Sequence, residues 1–340
     1  MSLDVRKHSS IKPVNRNQWN QVVTQSDQGS VFHRYEWLRA IEDGTSLEPR
    51  HLHVSKKGNP IAILPNFVHR VGSTPIRRLV SVSPGSGGPV AMTDEEAAVE
   101  RLVEGVSHLC SGLVAFNQLR MTYPESVRYH DFLKERGYRL TVRRCRFTLD
   151  LTRQWDRLSS EMHSSRRRAI EQGHDQEYEI VDEVLSETTL SEFYDNFSSV
   201  MDRVEGDGLP RSFFRALGEF PERVTVFSLR VDGDRRGMIM VLLDDDRSTL
   251  HYQFSGITED HFEYNASELL HEHAIKWGIE HGYETYDFRG TDPDFRDGLF
   301  RFKERFGGKA KPMLWWERGH PTPALPALNA GRTIYRRYTS

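Results

Sequence analysis

The sequence predicts an α/β fold with mixed sheets, arranged as two tandem copies of one unit. Three observations carry this. Each half contains a hairpin signal, two apolar runs around a short Gly-containing turn: residues 51–54 and 61–64 around Lys56-Lys57-Gly58-Asn59, and residues 224–229 and 238–243 around Val231-Asp232-Gly233-Asp234. Each half then carries a capped helix followed by a further strand. The closing segments also match, Leu133-Lys134-Glu135-Arg136-Gly137 against Phe302-Lys303-Glu304-Arg305-Phe306-Gly307, and an element order repeated along a chain marks a duplicated unit.

In the first half, expected as residues 1–150, residues 17–40 read as a helix with Trp19, Val22, Val23, Trp37 and Leu38 on its apolar side and a break near Gly29. The hairpin follows, then a strand from Arg78. Thr93 is the expected cap of the next helix, with Asp94, Glu95 and Glu96 placed where carboxylates favour the free N–H groups. Residues 113–116 read as a strand, 126–136 as a helix stopped by Gly137, and 138–149 as a strand. In the second half, expected as residues 151–317, a basic helix covers residues 153–172, and helices near 189–201 and 211–217 precede the hairpin. A strand starts at Thr249. Asn265 caps a helix that runs to Glu280, with Gly282 just past its end. Residues 283–288 read as a strand, 299–306 as a short helix and 311–317 as a strand. The boundary is expected near residues 150–154. Residues 318–340 read as a Pro-rich tail that ends in Arg332, Tyr335, Arg336, Arg337 and Tyr338, a linker with a short helix or disorder after it.

Composition narrows the function. A net charge of -3 over 340 residues gives no bulk attraction to nucleic acid or anionic lipid, so any such contact needs a local patch. Cys110 and Cys145 are the only cysteines, which suits a reducing compartment. The first ten residues are polar and no apolar run approaches membrane-span length, so the expectation is a cytoplasmic protein without a signal peptide or transmembrane segment. CxxC and HExxH spacings are absent and no metal site is expected. The run Pro84-Gly85-Ser86-Gly87-Gly88-Pro89 is glycine-rich enough to approach a phosphate through backbone N–H groups, but lacks the Lys-Ser/Thr ending of a P-loop. An ordinary loop explains it as well.

The most informative stretch is Tyr286-Asp287-Phe288-Arg289-Gly290 followed by Phe302-Lys303-Glu304-Arg305-Phe306-Gly307-Gly308. A strand carries Asp287 to a loop, and a short helix presents Lys303 and stops at a double Gly. Leu299, Phe302 and Phe306 share one helical face and are expected to be buried. Lys303 lies at its edge, so its stem can cross apolar surface while the ammonium reaches a cleft; a solvated surface Lys is the alternative. Asp287 either positions or deprotonates an amine, or pairs structurally with Arg289. Asp292 and Asp294 are explained by turn formation. Arg166, Arg167 and Arg168 form the densest basic cluster. Consecutive helical residues diverge by about 100°, so one or two of them can share a phosphate target, with Arg167 in the middle register. A solvated helix face is the alternative. Tyr252, on a strand leading to Gly256, is either an orienting hydroxyl or a half-buried core Tyr.

Four segments in order carry a resemblance: Ser164-Ser165-Arg166-Arg167-Arg168-Ala169-Ile170 with Gly173, His251-Tyr252-Gln253-Phe254-Ser255-Gly256, the Tyr286–Gly290 run, and Phe302-Lys303-x-x-Phe306-Gly307-Gly308. Together they resemble the Fem family, aminoacyl-tRNA-dependent transferases with two GNAT-like domains that add amino acids to peptidoglycan precursors. Gly87-Gly88-Pro89-Val90 is a weaker match in the first half. The resemblance implies a tandem GNAT-like acyltransferase. The Lys of the Phe302-Lys303 pair would act on the tetrahedral oxyanion, and an Arg of the 166–168 cluster would grip the diphosphate of a lipid- or nucleotide-linked envelope precursor. Tyr252 and Arg289 would stand at the acceptor, aminoacyl-tRNA would be the donor, and no cofactor would be bound. The usual acetyl-CoA loop is replaced by an acidic stretch, residues 256–265, which should repel a pyrophosphate. Contact with tRNA would rest on Arg143, Arg144, Arg146, Arg153 and the Arg166 cluster. Two other readings remain: an acyl-CoA-dependent N- or O-acyltransferase of a polysaccharide or small amine, and a non-catalytic binder of an anionic precursor, with possible peripheral membrane contact.

Overall fold

The computed structural model describes residues 3–204, 206 and 208–320. They form two compact units: residues 3–42, 46–143 and 312–320, and residues 43–45 and 144–311.

The first unit contains β1 (Leu3–His8), α1 (Arg16–Gln25), α2 (Tyr35–Gly44), β2 (Glu48–Pro49), β3 (His51–Lys56), β4 (Asn59–Leu64), β5 (Asn66–Arg70), β6 (Arg77–Ser81), β7 (Val90–Ala91), α3 (Glu95–Leu109), β8 (Val114–Met121) and α4 (His130–Glu135), and ends in β9 (Arg139–Asp150). The side chain of Asn15 caps α1 by accepting the Gln18 N–H at 3.0 Å, and Trp19, Val22 and Val23 turn inward. The break expected near Gly29 is present. A Cβ on Gly29 would lie 2.1 Å from the Val23 carbonyl oxygen, so only glycine lets the chain fold back there. Before α3, Asp94 takes a left-handed conformation (φ 49°), and its carboxylate binds Lys56 at 2.6 Å instead of capping the helix. Strands β1-β3-β4-β7 form one antiparallel sheet. In the second sheet β6 and β8 are parallel, and α3 supplies the crossover that a parallel pair requires.

The second unit contains α5 (Trp155–Glu161), α6 (Ser164–His174), β10 (Tyr178–Glu183), α7 (Glu187–Arg203), α8 (Arg211–Gly218), β11 (Val224–Val231), β12 (Asp234–Asp244), β13 (Thr249–Gly256), α9 (Ala266–Glu280), β14 (Thr285–Thr291), α10 (Gly298–Arg305) and the start of β15 (Lys309–Gly319). Its sheet runs β10-β11-β12-β13-β14-β9. Asp232 and Gly233 both have positive φ (53° and 81°), the pair of left-handed residues that lets a two-residue turn follow strand twist. β13 and β14 are parallel, with α9 as crossover. Leu269, Leu270, Ala274 and Ile275 of α9 are buried in the core beside Ile239, Val241 and Leu250 of the sheet.

The units therefore differ from a division at residue 150. β9 follows α4, yet its residues 145–150 pair with β14 in the second unit. β15 follows α10, yet its residues 314–319 pair with β8 in the first. Strands of 12 and 11 residues outlast one unit's sheet, so the division falls inside them. The strands β1 and β10, both mostly polar, escape the sequence pattern. The basic helix over residues 153–172 is two helices, parted at Met162 and His163. Arg318 and Gly319 belong to β15 and not to a tail; Arg332, Tyr335, Arg336, Arg337 and Tyr338 lie outside the described residues.

Gly173 fixes how α6 packs on α9, since a Cβ there would lie 2.8 Å from Leu269 Cγ. Gly173→Val should overpack this crossing, cost about 1–3 kcal/mol and lower the melting temperature. An unchanged thermal unfolding curve would remove this constraint.

Candidate active site

Asp287, 0% exposed at the end of the paired part of β14, organises the site. Its Oδ2 lies 3.0 Å from Arg146 Nη1 on β9 and 3.1 Å from His251 Nδ1 on β13, and His251 Nε2 faces Asp244 Oδ2 on β12 at 3.5 Å. Four neighbouring strands are thus tied by one buried polar ladder. Burial alone would raise the Asp287 carboxyl, but Arg146, His251 and Arg289 outweigh it and hold the carboxyl well below the usual carboxylate range. These partners favour the ionised carboxylate over the protonated acid. Of the two readings of this residue the geometry gives the ion pair, with Arg146 as its near partner and Arg289 Nη1 at 3.9 Å.

The other carboxylate oxygen accepts the Arg289 N–H at 2.8 Å. Arg289 sits at φ 62°, and β14 slips register against β9 between Asp287 and Gly290. At this bulge Lys303 Nζ donates to the carbonyls of Arg289 and Gly290, at 3.2 and 3.1 Å. Lys303 comes from α10, which starts where the Asp297 carboxylate accepts the Phe300 N–H at 2.8 Å and stops at Gly307 (φ 86°). Lys303 is 2% exposed, so the solvated alternative is excluded. Burial pushes its ammonium down to about 7, against the pull of Asp287. Phe306 is fully buried as expected, whereas Leu299 is 46% exposed. The helix is short, and its first turn projects beyond the core.

A cavity of about 960 Å³ opens beside Lys303 inside the second unit. It forms because β13 and β14 pair only at Thr249–His251 and Thr285–Asp287 and then part. A register shift between β12 and β13 at residues 240–241 adds to the opening. Tyr252, Gln253 and Ser255 line one side, Phe288, Arg289 and Gly290 the other. Arg166 lines it as well, paired with Glu268, its guanidinium 5.0 Å over the Phe302 ring. Arg166 Nε and Gln253 Oε1 are buried without a hydrogen-bond partner. Lys303, Phe302, Arg166, Tyr252 and Arg289 are thus brought together.

Arg167 is not. Its guanidinium is spent on the carbonyls of Ser160 and Met162, one helical step away from the cavity. Asp287 lies beneath the cavity floor. Tyr252 is half-buried, with its hydroxyl pushed up by burial, and packs 4.5 Å from His271. Of the arginines expected to meet tRNA, Arg146 is buried on Asp287, while Arg143 and Arg153 pair with Glu317 and Glu161. Arg144 lines the cavity and donates to the Gly290 carbonyl at 3.2 Å. The run from Pro84 to Pro89 is largely buried, with Ser86 against Thr122 and the Gly87 carbonyl accepting from Ser81, so ordinary loop structure accounts for it. Sequence reasoning assigned Arg144 to tRNA contact and not to this cavity, and missed Glu268 and the α7 wall; only the single acidic residue in the first turn of α9 hinted at a partner for Arg166.

Residues 158–304 match the acetyltransferase (GNAT) domain family, so the second half carries an acyltransferase domain of that type. The chain has the tandem GNAT fold. It is similar to the crystal structure of FemX, with a TM-score of 0.71 at 12% identity over 92% of this chain and 96% of that one. L-PGS from Bacillus licheniformis superposes with a TM-score of 0.61 at 13% identity over 95% and 97%. The tandem GNAT protein of the clavulanic acid biosynthesis pathway gives 0.61 at 10% over 94% and 98%. Among curated proteins, none matches this sequence. Among the described residues, no helix is long and apolar enough to cross a membrane.

Two substitutions separate scaffold from chemistry in this GNAT site. Asp287→Asn leaves Arg146 buried and uncompensated and should cost about 3–5 kcal/mol in denaturant unfolding. Because the folded carboxyl lies below its unfolded value, the stabilisation is present at neutral pH and lost in strong acid, and the variant should lose that acid sensitivity. Lys303→Met removes a desolvated ammonium and should unfold no more easily than the parent protein. A loss for Lys303→Met as large as that for Asp287→Asn would make the ammonium a structural tie.

Proposed function

We propose that the second unit transfers an aminoacyl group from aminoacyl-tRNA to an amine of a peptidoglycan-type envelope precursor. The amine nitrogen attacks the ester carbonyl, a tetrahedral oxyanion forms, the bond from the acyl carbon to the ribose oxygen breaks and an amide results. The attacking nitrogen loses a proton and the ribose hydroxyl gains one. One observation carries this reading: a buried ammonium on the wall of a large cavity, held by two carbonyls and with no carboxylate in contact. Such a cation meets developing negative charge with little reorganisation. Arg166 and Gln253 offer buried, unpartnered polar atoms on the same wall, and the parted strands offer backbone groups to a substrate's own amide. The likeness to FemX and L-PGS supports an aminoacyl donor. No bound cofactor is needed for this chemistry, and the donor places the reaction in the cytoplasm.

A second donor, acyl-CoA, has an observation of its own. Asn265, Ala266 and Ser267, at the start of α9, line the cavity, and a helix N-terminus favours anions. Glu268 in the same turn and Glu259 and Asp260 in the preceding loop weigh against it. Incubation with labelled aminoacyl-tRNA or labelled acetyl-CoA decides between the donors, and transfer from CoA alone would overturn the first.

Lys303→Ala should lower the rate of transfer about 10²–10³-fold. The ratio of parent to Lys303→Met rates should fall as pH rises through about 7, because the ammonium loses its proton there. A ratio that rises with pH instead would make Lys303 a base and sink its oxyanion role.

A further inference from the structure

β13 changes face at one residue. Leu250 packs against Gly278 of α9, and the Tyr252 ring lies 4.5 Å from that of His271 on the same helix, as alternate residues of a strand should. Phe254 would continue on that face in a regular strand, yet its ring packs on Phe197 of α7 and on Phe213 and Phe214 of α8. The cause is an extra residue. Tyr252 opposes Val241 and Phe254 opposes Met240, which leaves Gln253 with no counterpart on β12. On the other side the pairing with β14 has already ended at His251. Gln253 is thus the bulged residue of β13, and it lines the cavity. Its Oε1 is buried and has no hydrogen-bond partner among the described residues. A buried acceptor left unmet is costly, and a bulge beside an active site re-aims a side chain. The carboxylate on the same lining, Glu268, is engaged by Arg166.

We infer that Gln253 holds the attacking nitrogen of the acceptor and restricts the site to primary amines. The inference rests on the acyl-transfer reading of the same cavity and adds the residue that selects the nucleophile. A neutral primary amine carries two N–H bonds. One donates to Gln253 Oε1 and persists as the N–H of the product amide, so the contact survives the reaction. The other is lost as the bond from nitrogen to the acyl carbon forms and the leaving oxygen gains a proton. A carboxamide oxygen is too weak a base to take either. A secondary amine has a single N–H and must give it up, which leaves Oε1 unmet in the product. A hydroxyl, with its single O–H, meets the same conflict.

Transfer to Nα-acetyl-lysine, to its Nε-methyl derivative and to its ε-hydroxyl analogue tests it, with labelled aminoacyl-tRNA and labelled acetyl-CoA as donors. Acceptor kcat/KM in the parent protein should favour the primary amine by about tenfold or more over either analogue. Gln253→Met keeps the shape and removes the acceptor oxygen. Its kcat/KM for the primary amine should fall about tenfold and the preference should vanish, with the donor KM and the melting curve unchanged. Gln253→Glu keeps an acceptor oxygen and should keep the preference. A Gln253→Met protein that retains the parent's preference would overturn the inference, as would a parent protein that uses the three acceptors equally. A lowered melting temperature with donor and acceptor kinetics impaired alike would make Gln253 structural and overturn it too. Absence of transfer from either donor counts against the aminoacyltransferase reading alone, and binding then decides this inference. The NMR signal of the Gln253 side-chain amide, assigned by its loss in Gln253→Met, should shift with Nα-acetyl-lysine and not with its Nε-trimethyl derivative, which has no N–H at that nitrogen. An equal response to both would overturn the inference.

Discussion

The carboxylate of Asp287 is the constraint on which the second unit's site depends. One oxygen is claimed by Arg146 and His251, which locks β9, β13 and β14 together across their buried face. The other takes the Arg289 N–H and so turns the chain into its left-handed bulge. The turn is where the carbonyls of Arg289 and Gly290 meet the Lys303 ammonium. A non-glycine residue at positive φ costs of order 1–3 kcal/mol and persists only where its surroundings over-determine it. Here the surroundings are a fully buried ion pair, whose members are expensive to separate. Strain at the site and rigidity beneath it are two consequences of one side chain.

The parallel pair explains why the cavity is in the second unit. Both units place a long helix between two parallel strands, α3 between β6 and β8 and α9 between β13 and β14. In the first unit pairing continues from Arg77 to Val80, and the space against Gly87, Gly88 and Met121 is about 10 Å³, room for about one water. In the second unit pairing stops after three residues and the opposite strand shifts register beside it. A difference of one residue in parallel pairing, with the β12–β13 shift beside it, thus accompanies the cavity of the second unit.

Much of this was legible in the sequence, and the rest was hidden for identifiable reasons. Hairpins with Asp-Gly or Gly-Asn turns, helices stopped at Gly137, Gly282 and Gly307, and the repeated order all follow from local chemistry, and they gave the fold. The strands β1 and β10 alternate only over Leu3-Asp4-Val5-Arg6 and Tyr178-Glu179-Ile180, runs too short to stand out. The interleaving of β9 and β15 depends on which distant strand each meets, which periodicity does not encode. At the site, Phe302 and Lys303 were found through a motif, yet their neighbour Arg144 comes from a strand more than a hundred residues earlier. Asp287 and Arg289 looked like a pair because they are adjacent; the buried partner, Arg146, is adjacent only in the sheet. Arg166 and Arg167 differ by one helical step, and that step alone decides which guanidinium reaches the cavity.

The identity of residue 303 follows from the same geometry. An ammonium has three donors and no acceptor. Two are spent on the Arg289 and Gly290 carbonyls, which fixes the nitrogen at the wall of the cavity and leaves one N–H, the one the proposed oxyanion role would use. A guanidinium would present a planar fork that two carbonyls on one bulge do not match, and it would stay charged at every accessible pH. A neutral amide would satisfy the carbonyls but bring no charge to an oxyanion. Lysine alone combines a compact charge with a proton affinity that burial can tune. Burial lowers the proton affinity of this ammonium, and the Asp287 anion offsets part of that fall.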